Sequence, residues 1–243
     1  MDRHQFLAAL HQRVRPRTYL EIGVQLGQSL TLSRVPSIGI DPDFSITSEL
    51  QADIHLAKAT SDEFFARRNP LAHLPIKVLD LAFIDGMHLA EWSLRDYLAV
   101  ERFTHGASVI VFDDMLPRAA VEANRYRETS FWTGDVYKAL DALRQMRPDV
   151  VVIEVNTTGS GVAVALCPDA SRDGVLEGYD DWLESSAVVP DPQPVPTEVL
   201  TRSRAVDPEA LLAHPGWDTV LAARGAPDGA ARVRAAFADL AGA

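Results

Sequence analysis

The chain has 243 residues, with 34 acidic and 23 basic side chains and a formal net charge of −11 at pH 7. That balance argues against a nucleic-acid partner, which requires a basic face for the phosphates, although Arg13, Arg15 and Arg17 make a local basic patch. No apolar run approaches the ~20 residues that cross a bilayer. MDRHQFLAAL lacks the layout of a signal peptide, and the single Cys167 leaves neither an internal disulfide nor a cysteine-based zinc site, so a cytoplasmic protein without a membrane partner is expected.

Short apolar runs alternate with amphipathic stretches over the first two thirds of the chain, the pattern of βαβ units and a parallel sheet. Strands are expected at 18–22, 37–40, 54–57, 78–84 and 108–112. Two more, at 150–155 and 161–166, are joined by only NTTGS, which is too short for a helical crossover and predicts an antiparallel hairpin. Helices are expected at 89–103, 135–146 and 172–184, with Leu89, Trp92, Tyr97, Val100 and Phe103 on a core-facing stripe. The expected architecture is α/β: a mostly parallel seven-stranded sheet ending in an antiparallel hairpin. Residues 1–186 form its domain. Pro190, Pro192, Pro194 and Pro196 make 187–197 a stiff, extended connector. The Ala-, Arg- and Leu-rich 198–243 reads as an extension of two or three short helices. It could pack on the core, cover the active site or contact a second subunit, which leaves room for a homodimer.

The first chemical motif is Glu21-Ile22-Gly23-Val24-Gln25-Leu26-Gly27-Gln28-Ser29, a strand followed by a glycine turn that leads toward a helix. Glycines let the backbone approach a ligand closely, and a helix N-terminus behind them suits a carboxylate or phosphate. The spacing G-x-x-x-G differs from the G-x-G-x-x-G of nicotinamide dinucleotide sites. Asp41 ends the second strand, where a carboxylate can accept both hydroxyls of a ribose; Asp41-Pro42-Asp43 reads equally as a turn. Thr60-Ser61-Asp62-Glu63 is a helix-capping sequence that also brings Ser61 and Asp62 to the same sheet edge, within reach of an adenine amino group. Two further strands end in Phe83-Ile84-Asp85-Gly86-Met87-His88 and Phe112-Asp113-Asp114-Met115. One helix and one strand separate Asp85 from Asp113, so the two strands are expected to be neighbours, with Asp85, Asp113 and Asp114 clustered at their C-terminal ends. Clustered carboxylates need a compensating positive charge, and oxygen-only ligands suit Mg²⁺. His88 is placed either as the proton acceptor or as a further metal ligand.

These motifs (E-I-G-V-x-x-G-x-S, I-D-P, F-I-D-G-x-H and V-F-D-D) resemble the class I S-adenosylmethionine-dependent methyltransferases over roughly residues 15–167. The nearer likeness is to the metal-dependent O-methyltransferases of macrolide and aminocoumarin sugars. The resemblance implies a Rossmann-like sheet with S-adenosylmethionine and Mg²⁺ as cofactors. Glu21, Gly23 and Gly27 would hold the methionine part, Ser29 would bind its carboxylate, Asp41 the ribose, and Ser61 or Asp62 the adenine. Asp85, Asp113 and Asp114 would coordinate Mg²⁺, and Asp85 and His88 would be the catalytic pair. Trp132-Thr133-Gly134-Asp135 resembles a pocket-lining segment of such enzymes and also reads as a helix N-cap. Met87 departs from the pattern, since one sugar enzyme of the group has an acidic residue there. The acceptor implied is a small hydroxyl compound, a sugar or glycoside first and a catechol-type phenol second. Two other readings remain: a Mg²⁺-dependent hydrolase on a similar sheet, which leaves the glycine turn unexplained, and a non-catalytic partner subunit.

Overall fold

Strands in this chain are short, and nearly all their residues are buried, which selects parallel pairing under helices on both faces. The computed structural model describes residues 1–240. Its strands are β1 (Tyr19–Ile22), β2 (Ser37–Ile40), β3 (Ile54–Ala57), β4 (Leu81–Ile84), β5 (Val109–Asp113), β6 (Val151–Val155) and β7 (Val162–Leu166). They form one sheet in the order β3-β2-β1-β4-β5-β7-β6. β1, β2, β3, β4 and β5 run parallel, and β7 is antiparallel to both β5 and β6. The expected fold class and the terminal hairpin are therefore observed.

Alternate residues feed two separate cores, as the two-residue strand period requires. Leu20, Ile22, Ala82, Ile84, Ile110 and Phe112 face one layer. It contains α2 (Ser61–Phe65), α3 (Ala90–Glu101) and α4 (Tyr137–Met146). Tyr19, Leu81, Phe83, Val109 and Val111 face the other. There lie the N-terminal α1 (Arg3–Val14) and most of the C-terminal extension.

Several expected elements are corrected. The strand 78–84 begins only at Leu81, because Asp80 is drawn into ion pairs with Arg17, His105 and Arg224. Arg13 is paired too, with Asp218, so the basic patch is partly neutralised within the molecule. The helix expected at 172–184 is broken: Gly174 and Gly178 take positive φ, and only α5 (Tyr179–Trp182) and a π-type turn at Leu183–Ala187 form. No α-helix follows the glycine turn after β1. A single 3₁₀ turn, Leu30–Leu32, occupies the place: the Ser33 hydroxyl bonds locally to the Val35 carbonyl, Thr31 reaches across to the Glu49 carbonyl, and Pro36 precedes β2.

The proline-rich segment 187–197 docks along the domain. The Asp191 carboxylate accepts hydrogen bonds from the backbone amides of Arg125 and Tyr126, and Gln193 is buried and accepts from Lys138. Beyond it stand four short helices: α6 (Thr197–Leu200), α7 (Pro208–Ala213), α8 (Gly216–Ala222) and α9 (Gly229–Ala236). Trp217, Val220, Val233 and Phe237 bury themselves in the core beside α1, so most of the extension lies on the sheet's second face. Its residues 241–243 lie outside the described part of the chain.

A buried ion pair ties α3 to Arg147, at the C-terminal end of α4. The side chains of Arg147 and Glu101 are fully buried and 2.8 Å apart, and Tyr97 donates its hydroxyl to Glu101. Arg147 also pairs with Asp149 at 2.7 Å, so removing Glu101 takes away one of its two partners. Glu101→Ala is expected to lower the unfolding free energy by up to about 3 kcal/mol, as read by urea denaturation.

Candidate active site

The strand order reverses direction between β1 and β4: β2 and β3 lie on one side, β5 on the other. In open α/β sheets the crevice at the C-terminal ends of such strands is where ligands bind. Here the two ends are drawn together by backbone, since the Gly23 amide donates to Ile40 and the Asp85 amide to Ile22. Gly23 has φ +86°, and a Cβ at this position would collide with the carbonyl oxygen of Asp85. Glycine is therefore the residue that permits β1 and β4 to end this close.

A cavity of about 420 Å³ opens over this crevice. It is lined by Asp41 and Gln25, by Ser61 and Asp62 of α2, by Asp96 of α3, and by Asp85, Met87 and His88. Asp41 is aimed by two backbone amides, that of Gln25 to one carboxylate oxygen (2.8 Å) and that of Asp43 to the other (2.7 Å). Thr60 and Glu63 form the reciprocal cap of α2, which leaves Ser61 and Asp62 to face the cavity. Trp92, expected in the core stripe, lines the cavity instead.

Three of the seven residues assigned to the cofactor from the sequence are not brought to this lining. Ser29 and Gly27 lie outside it, and without a helix after the turn the expected N-terminal carboxylate cradle is missing. Glu21 is buried behind it and accepts a hydrogen bond from the Tyr19 hydroxyl at 2.7 Å. Burial, followed by the charges of Asp85 and Asp41, pushes its carboxyl up to about 8. Sequence reasoning missed Asp96. It sits on α3 and lines the same cavity as Ser61, and burial pushes it up to about 7. An acid on a predicted core helix next to Tyr97 was the available signal.

The parallel pairing of β4 with β5 places Ile84 beside Phe112, so Asp85, Asp113 and Asp114 follow on adjacent strand ends. Their side chains then diverge. Asp114 has φ +62°, and its carboxylate faces His88 Nδ1 at 3.1 Å. His88, also left-handed at φ +54°, has its Nε2 3.6 Å from Asp85. Ligand atoms of Asp85, His88 and Asp114 all lie within 4.8 Å of one another. Asp113 is the correction to the expected carboxylate triad. It borders the same small cleft but points its carboxylate at Arg3 of α1, which also touches Asp85 at 3.2 Å. Both Asp113 oxygens are buried with no hydrogen-bond partner among the described residues, Oδ2 having only its charge contact with Arg3.

His88 is held by the segment that the sequence marked at 132–135. The Trp132 ring stacks on the imidazole (centroids 5.0 Å apart, planes 6° apart), and the Trp132 carbonyl accepts from Nδ1 at 3.1 Å. Gly134 passes so close to the His88 carbonyl that a Cβ would collide with it. The N-cap reading of Thr133 is not observed: α4 starts at Tyr137, and it is Asp135 that caps a helix, accepting from the Ala90 amide at the start of α3. A carbonyl can only accept, so Nδ1 carries a proton and Nε2 is the basic atom of the neutral ring. Burial opposes the charged ring, but contact with Asp85 and the charge of Asp114 outweigh it and raise the histidine above its ordinary range.

Residues 20–115 match the family model described as a methyltransferase domain. No curated protein matches the chain. Among solved structures, a "putative caffeoyl-CoA O-methyltransferase" from Staphylococcus aureus is 19% identical, with TM-score 0.51, over 69% of this chain and 84% of that one. The O-methyltransferase TomG from Streptomyces achromogenes, solved in complex with SAM, is 18% identical, with TM-score 0.50, over 68% of this chain and 78% of that one. The chain has a methyltransferase fold. At these identities the likeness is one of architecture, and the cavity and acidic cleft occupy the crevice where that architecture places its ligands.

The raised Asp96 has a defined signature. Its carboxyl stays protonated in the fold while the unfolded chain ionises near ~3.9. Its contribution is therefore fully present below that value and is lost as pH rises through about 7. Asp96→Asn is expected to flatten the decline in stability between pH 4 and 7, by up to roughly 4 kcal/mol, in denaturation curves recorded across that range.

Proposed function

We propose that the protein is a Mg²⁺-dependent O-methyltransferase that moves a methyl group from S-adenosylmethionine to a hydroxyl of a small acceptor, most favourably a sugar or glycoside. The observation that carries this reading is that a single cavity is lined both by Ser61, Asp62 and Asp41 and by Asp85 and His88. A nucleoside seated on Asp41 would extend its sulfonium arm toward the acidic cleft. The methyltransferase-domain match over 20–115 supports the same reading.

The residues of the cleft fit a hard divalent ion. Asp85 and Asp114 each bring a carboxylate oxygen to a group of ligand atoms within 4.8 Å of one another, the unpartnered Asp113 oxygens are further candidate donors, and His88 Nε2 is kept for the proton rather than the ion. When bound, Mg²⁺ supplies Lewis acidity that makes a neighbouring hydroxyl easier to deprotonate. The rest falls to the chain's own side chains. Asp41 orients the ribose, and Gly23 lets the backbone close on the donor. His88 Nε2 accepts the acceptor's proton, and the resulting imidazolium is stabilised by Asp85 and Asp114, which face its two nitrogens. Trp132 holds the ring plane through that proton transfer, so positioning and proton acceptance supply the catalysis.

A catechol-type phenol is the second acceptor reading. It is favoured by the apolar surface beside His88, where Met87 is 57% exposed and Phe131, next to Trp132, is 66% exposed.

Calorimetry of the full chain is expected to show S-adenosylmethionine binding and no NAD binding. Methyl transfer to vicinal-diol glycosides, with catechol as comparison, is expected to need Mg²⁺ and to stop in chelator; full activity in chelator overturns the metal role. His88→Ala is expected to lower kcat by about 10²–10⁴-fold while leaving donor binding intact. Gly23→Ala is expected to weaken donor binding, because its Cβ would push β1 and β4 apart.

A further inference from the structure

The acidic cleft already contains a cation. Arg3 opens α1, and its Nη1 reaches both Asp85 Oδ2 (3.2 Å) and Asp113 Oδ2. Among the described residues, no other Lys or Arg nitrogen lies within 4.0 Å of Asp85, Asp113 or Asp114; their remaining charged neighbour is His88.

Its backbone is firmly placed. Asp2 caps α1 through a reciprocal bond with Gln5, the Met1 carbonyl accepts from the Thr158 amide in the β6–β7 loop, and Phe6, Leu7 and Leu10 are buried in the core. The side chain is different: it remains 32% exposed, so its long stem has a solvent route out of the cleft. The arrangement is a charge on a fixed anchor with a movable end.

We propose that Arg3 is a tethered counter-cation that competes with the divalent ion for Asp85 and Asp113, and so sets the metal affinity of the site. The inference rests on the metal reading above. Without an ion, the guanidinium relieves the repulsion between carboxylates buried on neighbouring strand ends. An arriving divalent ion takes over that role and meets a like charge a few ångströms away, a costly approach at the low effective dielectric of a protein cleft. Binding therefore requires Arg3 to withdraw, and its withdrawal energy is subtracted from the affinity of the ion. The Asp113 oxygen left unpartnered then gains a partner.

The test is Mn²⁺ titration of the full-length protein, with free Mn²⁺ followed by electron paramagnetic resonance, for wild type, Arg3→Lys and Arg3→Met. The methionine variant keeps the apolar stem and removes the charge. It is expected to bind Mn²⁺ at least about tenfold more tightly, a difference of about 1.4 kcal/mol, with Arg3→Lys between it and wild type. Without metal, Arg3→Met is expected to melt below wild type, and Mn²⁺ to raise its melting temperature by more than it raises that of wild type. A residue with a purely structural role would lose affinity when replaced, not gain it. Equal or weaker Mn²⁺ binding by the variants overturns the role of Arg3 and leaves the metal reading standing. Absence of Mn²⁺ binding in all three proteins removes the metal reading, and this inference with it.

Discussion

Four carboxylates converge on the C-terminal ends of β1, β4 and β5: Glu21, Asp85, Asp113 and Asp114. Burying that much like charge is unfavourable unless each group is neutralised, paired or ligated, and the surrounding structure can be read as the set of answers. Glu21 holds its proton, with Tyr19 as its hydrogen-bond donor. Asp113 and Asp85 take Arg3, and Asp114 takes His88. Those compensations tie α1, the glycine turn and the 132–135 segment to a single corner.

The same logic explains why elements distant in the chain serve the corner. His88 is positioned by Trp132 and Gly134, which the Arg125 network holds in turn: Arg125 pairs with Glu91 and Asp135, while Asp135 also caps α3. The proline-rich strap closes over Arg125 through Asp191. Arg202, just after α6, donates to the carbonyls of Leu116 and Gly159. It thereby clamps the loop that follows Asp114 against the β6–β7 turn. The C-terminal extension is thus joined to the architecture of the cleft, although most of its helices pack on the opposite face of the sheet from α3 and α4.

Polar groups divide into two kinds along the sheet edge. Asp80 and the Arg147–Glu101 pair lie at the opposite ends of the strands, fully engaged, and they hold the layers together. At the C-terminal ends, Asp41 and Asp85 line a cavity; Asp62 lines it too but is paired with Arg95 at 2.6 Å. Binding chemistry is concentrated where compensation is incomplete, which is the expected cost of a site that must accept a ligand.

The seven strands were legible in the residues themselves, whereas most of their order in the sheet was not. Alternation and uninterrupted burial mark β1 to β7, and a five-residue NTTGS link allows only a hairpin. The adjacency of Asp85 and Asp113 followed from one intervening crossover, and the cap at Thr60–Glu63 from its spacing. Those are local or nearest-neighbour properties, set by periodicity and chain length. The direction of each carboxylate was not legible. It depends on left-handed backbone at His88 and Asp114, and on a guanidinium arriving from residue 3, more than eighty positions before Asp85. The missing helix after Gly27, the neutral Glu21 and the pocket role of Asp96 likewise arise from what packs against them. Sequence pattern determined which side chains reach the sheet edge; only tertiary packing decided which of them face solvent, a partner charge or each other, because burial and pairing are properties of surroundings that no local stretch contains.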